Sequence, residues 1–196
     1  MDTREYIIDK AIPLFLTNSY EAVSISDISH AIGFTKGALY HHFKNKEELF
    51  KAVIDKCMVI QEIKFDEETG TLLEFSEACL NHSKHALKML FSHTQGFEVI
   101  NYMSLIADSF RHYPGFADQK IVYMTSETTK IKNILIKSIE RGEIRSDIDT
   151  TLIAQSYFSN MLGLAVPIIQ KQSIEQVILN LKGQLDQMYL LLKKVE

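Results

Sequence analysis

Between Thr35 and Leu49 the chain reads Thr35-Lys36-Gly37-Ala38-Leu39-Tyr40-His41-His42-Phe43-Lys44-Asn45-Lys46-Glu47-Glu48-Leu49, a stretch rich in groups that can meet phosphates and base edges. Lys36 supplies a cation that reaches a base edge or a phosphate, and Thr35 stands at a helix start, where free backbone N–H groups attract anions. Gly37 removes the Cβ that would hold a backbone away from a groove wall. Tyr40 lies on the face opposite Leu39, where its hydroxyl suits a phosphate oxygen better than packing against the first helix. Lys46 falls in the first turn of the next helix, where a cation opposes the dipole, so a phosphate partner accounts for it better than helix stability does. His41 shares the outward face, while His42 suits DNA or a buried polar contact equally. Ser24 marks an earlier helix start, as a phosphate contact or only as a cap. Ser24, Thr35, Lys36, Gly37, Tyr40, His41 and Lys46 form the candidate nucleic-acid set. Bond-making chemistry finds no such cluster: a Gly-rich phosphate loop after a strand, carboxylates paired beside a base, and a nucleophile motif are all missing, so the chain reads as a non-enzyme without a cofactor.

Helices must position these groups. Apolar residues recur at spacings of three and four, with only eight Gly and three Pro in 196 residues, and the pattern predicts an all-α fold. Asp2 with Glu5 reads as a capping box for a first helix carrying Ile7, Ile8, Ala11, Leu14 and Phe15 to about Thr17, in which Pro13 should cause a kink or a weakening. Ser24 with Asp27 opens a short second helix that Gly33 ends, and Thr35 caps a third from Lys36 to about Phe43. Asn45 with Glu48 opens a longer fourth. Two short helices joined by Gly33-Phe34-Thr35 have the spacing of a helix-turn-helix, whose second helix fits a major groove ~12 Å wide. After a polar break at Asp66 to Gly70, further helices are expected over about 71–92, 97–112, 117–141, 149–170 and 173–195, punctuated by Pro114-Gly115 and Arg141-Gly142-Glu143.

Charge narrows the reading. The chain is 46% apolar, with 21 Lys+Arg against 25 Asp+Glu and a net charge of −4, which excludes disorder and a broadly basic nucleic-acid coat. Residues 1–46 are neutral, with Arg4, Lys10, Lys36, Lys44 and Lys46 against Asp2, Glu5, Asp9, Glu21 and Asp27. Three of these cations cluster in the contact segment, so a weak non-specific affinity is expected, with specificity coming from geometry. Two cysteines, Cys57 and Cys79, are too few for a disulfide framework or a structural zinc site. The first residues lack a signal-peptide layout and the longest apolar run, Met161 to Ile169, is far short of a membrane span, so a cytoplasmic protein without a membrane partner is expected.

The segments beyond residue 46 suggest two further roles. Ile174, Ile178, Leu181, Leu185, Met188, Leu192 and Val195 form an unbroken heptad seam, with Leu179, Leu190 and Leu191 outside it. The chain's own core could absorb one such stripe. Two apolar faces on one helix, beside a preceding helix with Phe158, Leu162 and the small residues Ser159 and Gly163, instead suggest a two-fold four-helix dimer interface formed by Phe158, Leu162, Ile178, Leu181, Leu185, Met188 and Leu192. In the middle segments, Phe75, Cys79, His82, His85, Met89, Phe97, Tyr102, Met103, Phe110, Tyr123 and Met124 mix aromatic, sulfur and polar groups, as a small-molecule pocket would, although an ordinary core explains each singly. Cys79, His82, Tyr102 and Tyr123 are the candidate ligand contacts. Cys79-x2-His82-x2-His85 invites a metal reading, but steps of three spread the side chains around a third of the helix, so no metal is assigned.

The Gly37-to-Leu49 stretch resembles the signature G-x-L-Y-x-H-F-x-x-K-x-x-L of TetR/AcrR-type bacterial transcriptional regulators. Ala11-Ile12-Pro13-Leu14-Phe15, Tyr20 and Ile28-Ser29-His30-Ala31-Ile32-Gly33-Phe34 match the family's upstream segments, so the resemblance covers roughly residues 4–50. Downstream, Glu140-Arg141-Gly142-Glu143-Ile144 with Asp149, and Met161-Leu162-Gly163-Leu164, match it only in outline. Pro13, Ser19 and Ser29 depart from the pattern without removing a phosphate contact. The resemblance implies a helix-turn-helix DNA-binding domain over residues 1–46 and a helical ligand-binding and dimerisation domain over 47–196. It implies a homodimeric repressor, released from a palindromic double-stranded operator by a small apolar or amphipathic effector. The rival is an all-α small-molecule carrier whose first helices are structural only.

Overall fold

A computed structural model describes residues 2–57, 63–92, 99–164 and 173–194. Its helices are α1 (Thr3–Thr17), α2 (Ile25–Ile32), α3 (Lys36–His42), α4 (Lys46–Cys57), α5 (Leu72–Ser92), α6 (Val99–His112), α7 (Phe116–Glu140), α8 (Thr150–Leu162) and α9 (Ile174–Leu192). The fold is all-α, and among the described residues the one piece of extended pairing is an isolated bridge between Ile144 and Lys193. No helix there is long and apolar enough to cross a membrane. Val195, Phe97 and the end of the helix expected over 149–170 lie outside the described residues, as does the side chain of Met89.

The expected helix starts form as local side-chain chemistry dictates. Asp2 accepts the Arg4 N–H, Ser24 and Asp27 make a complete capping box, and Thr35 accepts the Ala38 N–H. Asn45 Oδ1 accepts the Glu48 N–H at 2.8 Å while Glu48 accepts the Lys44 N–H at 2.8 Å. Gly33 ends α2 at φ 73°, a left-handed conformation in which a Cβ is strained. Glu5, the expected partner in the first box, bonds Lys56 Nζ instead, at 2.7 Å. Pro13 does not break α1, which runs through it on an exposed side; Thr17 Oγ1 donates to the Pro13 carbonyl at 2.7 Å and ties down the last turn.

The described residues divide into two compact units. The first comprises α1 to α4, α6 and the start of α7 as far as Lys120, around Ile7, Ala11, Phe15, Ile28, Leu39, Leu49, Phe50, Val53 and Leu105. The division therefore does not fall after Lys46, because Leu49, Phe50, Val53 and Ile54 of α4 and Leu105 of α6 bury themselves in the same core as α1 to α3. The second unit comprises α5, the rest of α7, α8 and α9, around Leu72, Phe75, Cys79, Ile131, Ile134, Tyr157, Leu181 and Leu185. Its α5 start is fixed from a distance: the Glu143 carboxylate accepts the Leu72 N–H at 3.0 Å, and Arg141 donates to the Gly70 carbonyl at 2.7 Å.

Candidate nucleic-acid interface and sensing unit

Helix α3 is held by one buried side chain. Leu39 is 1% exposed, and the rest of the helix faces outward apart from the half-buried His42. Lys36, Gly37, Tyr40 and His41 all lie on the open surface, and Lys36 has no ion-pair partner among the described residues. Tyr40 is 50% exposed, a large ring left in water by a small helix. A Cβ on Gly37 would meet only Thr35 Oγ1 at 3.9 Å, an ordinary contact, so nothing inside the chain requires a glycine there. The outward side of α3 thus carries Lys36, Tyr40 and His41 into solvent.

Ser24 and Thr35 are both occupied as caps, and both remain exposed. Ser24 also donates its hydroxyl to Asp27 at 2.6 Å, which holds the Asp27 carboxyl below its usual range. The His41 and His42 rings meet edge to face at 5.4 Å.

Lys46 has a different place from the one its position in the helix suggested. Its Nζ donates to the Tyr20 carbonyl at 2.9 Å and the Val23 carbonyl at 3.1 Å, and lies 4.0 Å from the centre of the Tyr20 ring. Those carbonyls close the corner between α1 and α2, so a charge that opposes its own helix dipole is balanced by two aimed dipoles and an aromatic face. The same Tyr20 ring stacks on His112 of α6 at 4.1 Å and meets Phe50 edge-on at 4.8 Å. Its N–H is taken by Asp108 of α6, a buried carboxylate. Asp108 was legible only as an acid three residues past Leu105, on the buried side of α6.

The candidate ligand contacts separate. Tyr102 belongs to the first unit, where it packs on that unit's core and burial pushes its hydroxyl upward in pKa. Cys79, His82 and Tyr123 lie in the second. Cys79 is fully buried and its thiol is pushed up to about 12, chiefly by desolvation and then by the Glu127 charge. His82 is half-buried, and desolvation holds it below its ordinary range, with the Glu127 charge pulling the other way. Tyr123 meets Phe158 edge to face at 6.2 Å. His85 is exposed, so the Cys79, His82 and His85 side chains do diverge around α5. Glu127 was not singled out from sequence, although its spacing from Ile131, Ile134 and Ser138 puts it on the buried stripe of α7.

The expected dimer seam needs correction. Phe158, Leu181, Leu185 and Leu192 are between 0% and 5% exposed, and Ile178 and Met188 are half-buried, because α9 lies along α5 and against α8 and spends its seam on the chain's own core. Only Leu162 of the expected set is open, at 57%. The unpartnered apolar surface lies elsewhere on the same helices: Leu152 at 59%, Leu179 at 60% and Leu190 at 63%. Leu179 and Leu190, eleven residues or three turns apart, share one face of α9 with exposed Gly183 between them. Beside it, Ser159, Asn160, Gly163, Val177, Asn180 and Gln184 line a cleft of about 110 Å³ between α8 and α9.

Comparison with known proteins agrees with this architecture. Residues 7–53 match the family model described as bacterial regulatory proteins, tetR family. The Transposon Tn10 TetC protein of Escherichia coli is 30% identical over 145 residues, covering 74% of this chain and 69% of that one. The HTH-type transcriptional repressor ComR of Escherichia coli (strain K12) is 26% identical over 179 residues, covering 89% of this chain and 83% of its own. The crystal structure of AibR in complex with isovaleryl coenzyme A and operator DNA shares the fold, with a TM-score of 0.64 at 20% identity over 93% of this chain and 97% of that one. A capped helix-turn-helix on an α1–α4 core, continued by a helical second unit and matched along most of a relative's length, leads to one assignment: the chain belongs to the tetR family of bacterial regulatory proteins.

Proposed function

We propose that the protein is a homodimeric repressor that reads a palindromic operator with α3 and is released when a small apolar or amphipathic molecule binds its second unit. The observation that carries the reading is the outward face of α3: Lys36, Gly37, Tyr40 and His41 are exposed, and Leu39 alone is buried. A helix serving only structure would bury its tyrosine or fill its glycine. That favours a DNA reader over a carrier whose first helices merely support the fold. Thr35 and Ser24 present helix N-termini to phosphate, and Lys36 adds a free cation.

Dimerisation is supported by Leu152, Leu162, Leu179 and Leu190, apolar side chains that a second copy would cover isologously. Two recognition helices in successive major grooves require half-sites about 34–36 Å apart. The repressor direction is supported by the similarity to ComR, a transcriptional repressor, and effector binding by the similarity to AibR, captured with both isovaleryl coenzyme A and operator DNA. Effector and operator then weaken each other by one common factor.

The test is a footprint on the DNA flanking the protein's own gene. A two-fold site protected at moderate salt, and lost in Lys36→Ala and Tyr40→Ala variants that still fold and dimerise, is the expected result. Equal affinity for random duplex overturns the proposal.

A further inference from the structure

One polar atom in the second unit is unexplained by the fold. Glu127 of α7 is 0% exposed; its Oε1 meets Lys130 Nζ at 3.1 Å, and that ammonium also donates to the Ile63 carbonyl at 3.3 Å. Its Oε2 has no hydrogen-bond partner among the described residues. Leaving a buried acceptor unsatisfied costs roughly 1–3 kcal/mol, and more when it is charged. Lys130 pairs with only one of the two carboxylate oxygens, so the ion pair leaves Oε2 unaccounted for.

Two groups of α5 stand within reach of the Glu127 charge. It acts on the buried Cys79 thiol and on the half-buried His82 imidazole, pulling both upward in pKa against or along with burial. Neither donates to Oε2, which stays without a hydrogen-bond partner among the described residues. Tyr123, one turn earlier on α7, lies on the same side of that helix as Glu127.

We infer that Glu127 Oε2 is the polar anchor of the effector site, and that the effector offers it a neutral N–H or O–H donor on an otherwise apolar body. The inference rests on the proposed sensing role of the second unit. Charge selects the donor's type. Lys130 already balances Glu127, so an anionic ligand would bring a second acceptor to an acceptor, and a cationic one would leave a net buried charge; a neutral donor adds neither. His82, kept neutral by burial, presents one donor and one acceptor nitrogen for a second polar group.

Matched probes decide it. The full chain is titrated by ligand-observed NMR with phenol against anisole and with indole against 1-methylindole, pairs in which a methyl group replaces the donor hydrogen; the added methyl favours the methylated partner in an apolar site, so tighter binding of the donor reads the hydrogen bond. The expected result is that each donor binds about tenfold tighter than its methylated partner, and that the gap closes in Glu127→Gln. The wild-type comparison stands even if the variant fails to fold. Equal binding within both pairs, no binding of either donor, or an undiminished gap in folded Glu127→Gln overturns the inference. Operator binding, measured on the same samples, keeps the two readings apart: a protein that holds its operator but shows no donor preference refutes the anchor alone, whereas one that holds no operator refutes the proposed function.

Discussion

Asp108 Oδ2 accepts the backbone N–H of Tyr20 at 2.7 Å, joining α6 to the corner between α1 and α2 across 88 residues of sequence. The bond lies inside the first unit, and the Tyr20 ring beside it stacks on His112 of the same helix. Asp108→Ala should strand the Tyr20 N–H and destabilise the chain by about 1–3 kcal/mol, with Asp108→Asn recovering part of the loss because it keeps an acceptor. Urea unfolding followed by circular dichroism checks this; a midpoint unmoved in Asp108→Ala would show the bond to be incidental.

Two lysines of the contact segment should behave differently. Lys46 is engaged by two carbonyls and the Tyr20 ring, whereas Lys36 has no ion-pair partner among the described residues. Lys46→Ala is expected to cost about 1–3 kcal/mol of stability and to leave the salt dependence of operator binding unchanged. Lys36→Ala should leave stability unchanged and lower the salt slope by roughly one unit per half-site. A salt slope that drops in Lys46→Ala would return that residue to the phosphate.

Gly37 separates folding from binding within one substitution. No neighbour obstructs a Cβ there, so Gly37→Ala should stabilise α3 by about 0.5–1 kcal/mol. Operator affinity should fall, since the added methyl keeps the backbone from the groove wall. Unchanged affinity in a gel-shift titration would remove the glycine from the interface.

Both thiols should resist alkylation in the native chain. Burial pushes Cys57 from the ordinary 9.0 to about 11 and Cys79 to about 12. At pH 8 the thiolate fraction is then roughly 100-fold lower for Cys57, and lower still for Cys79, than for a free thiol. Because burial raises both folded pKa values, the stability that comes from keeping these thiols protonated is complete below pH 9 and is lost as the pH climbs through them. Iodoacetamide labelling with and without denaturant, read by mass spectrometry, provides the measurement, and rapid native labelling of Cys79 would contradict its burial.

Leucines on α9 divide by direction. Leu179→Glu with Leu190→Glu should convert dimer to monomer in sedimentation velocity while barely moving the unfolding midpoint, since both residues are exposed. Leu185→Ala, fully buried, should cost about 2–5 kcal/mol. A dimer that survives the double glutamate would place the interface on another face.

Much of this was legible in the sequence because it is local. The caps at Ser24, Thr35 and Asn45 and the left-handed Gly33 each depend on residues within four positions, and the α3 face follows from helical periodicity. What stayed hidden depends on which neighbour a helix finds. The heptad seam of α9 is the same string of residues whether α5 or a second chain covers it, so Leu181 and Leu185 could be placed on a stripe but not assigned a partner. The setting of Lys46 stayed hidden for a similar reason: the carbonyls it meets lie 26 and 23 residues away. Tyr102 shares the composition of a ligand contact, yet its helix packs with the first unit.

The single buried anchor of α3 has an evolutionary consequence. A segment that gives the core only Leu39 can exchange its outward residues with little effect on folding, so under the proposed function target preference and stability would vary almost independently. Under that reading, a change of promoter could come in small steps, each passing through a folded protein.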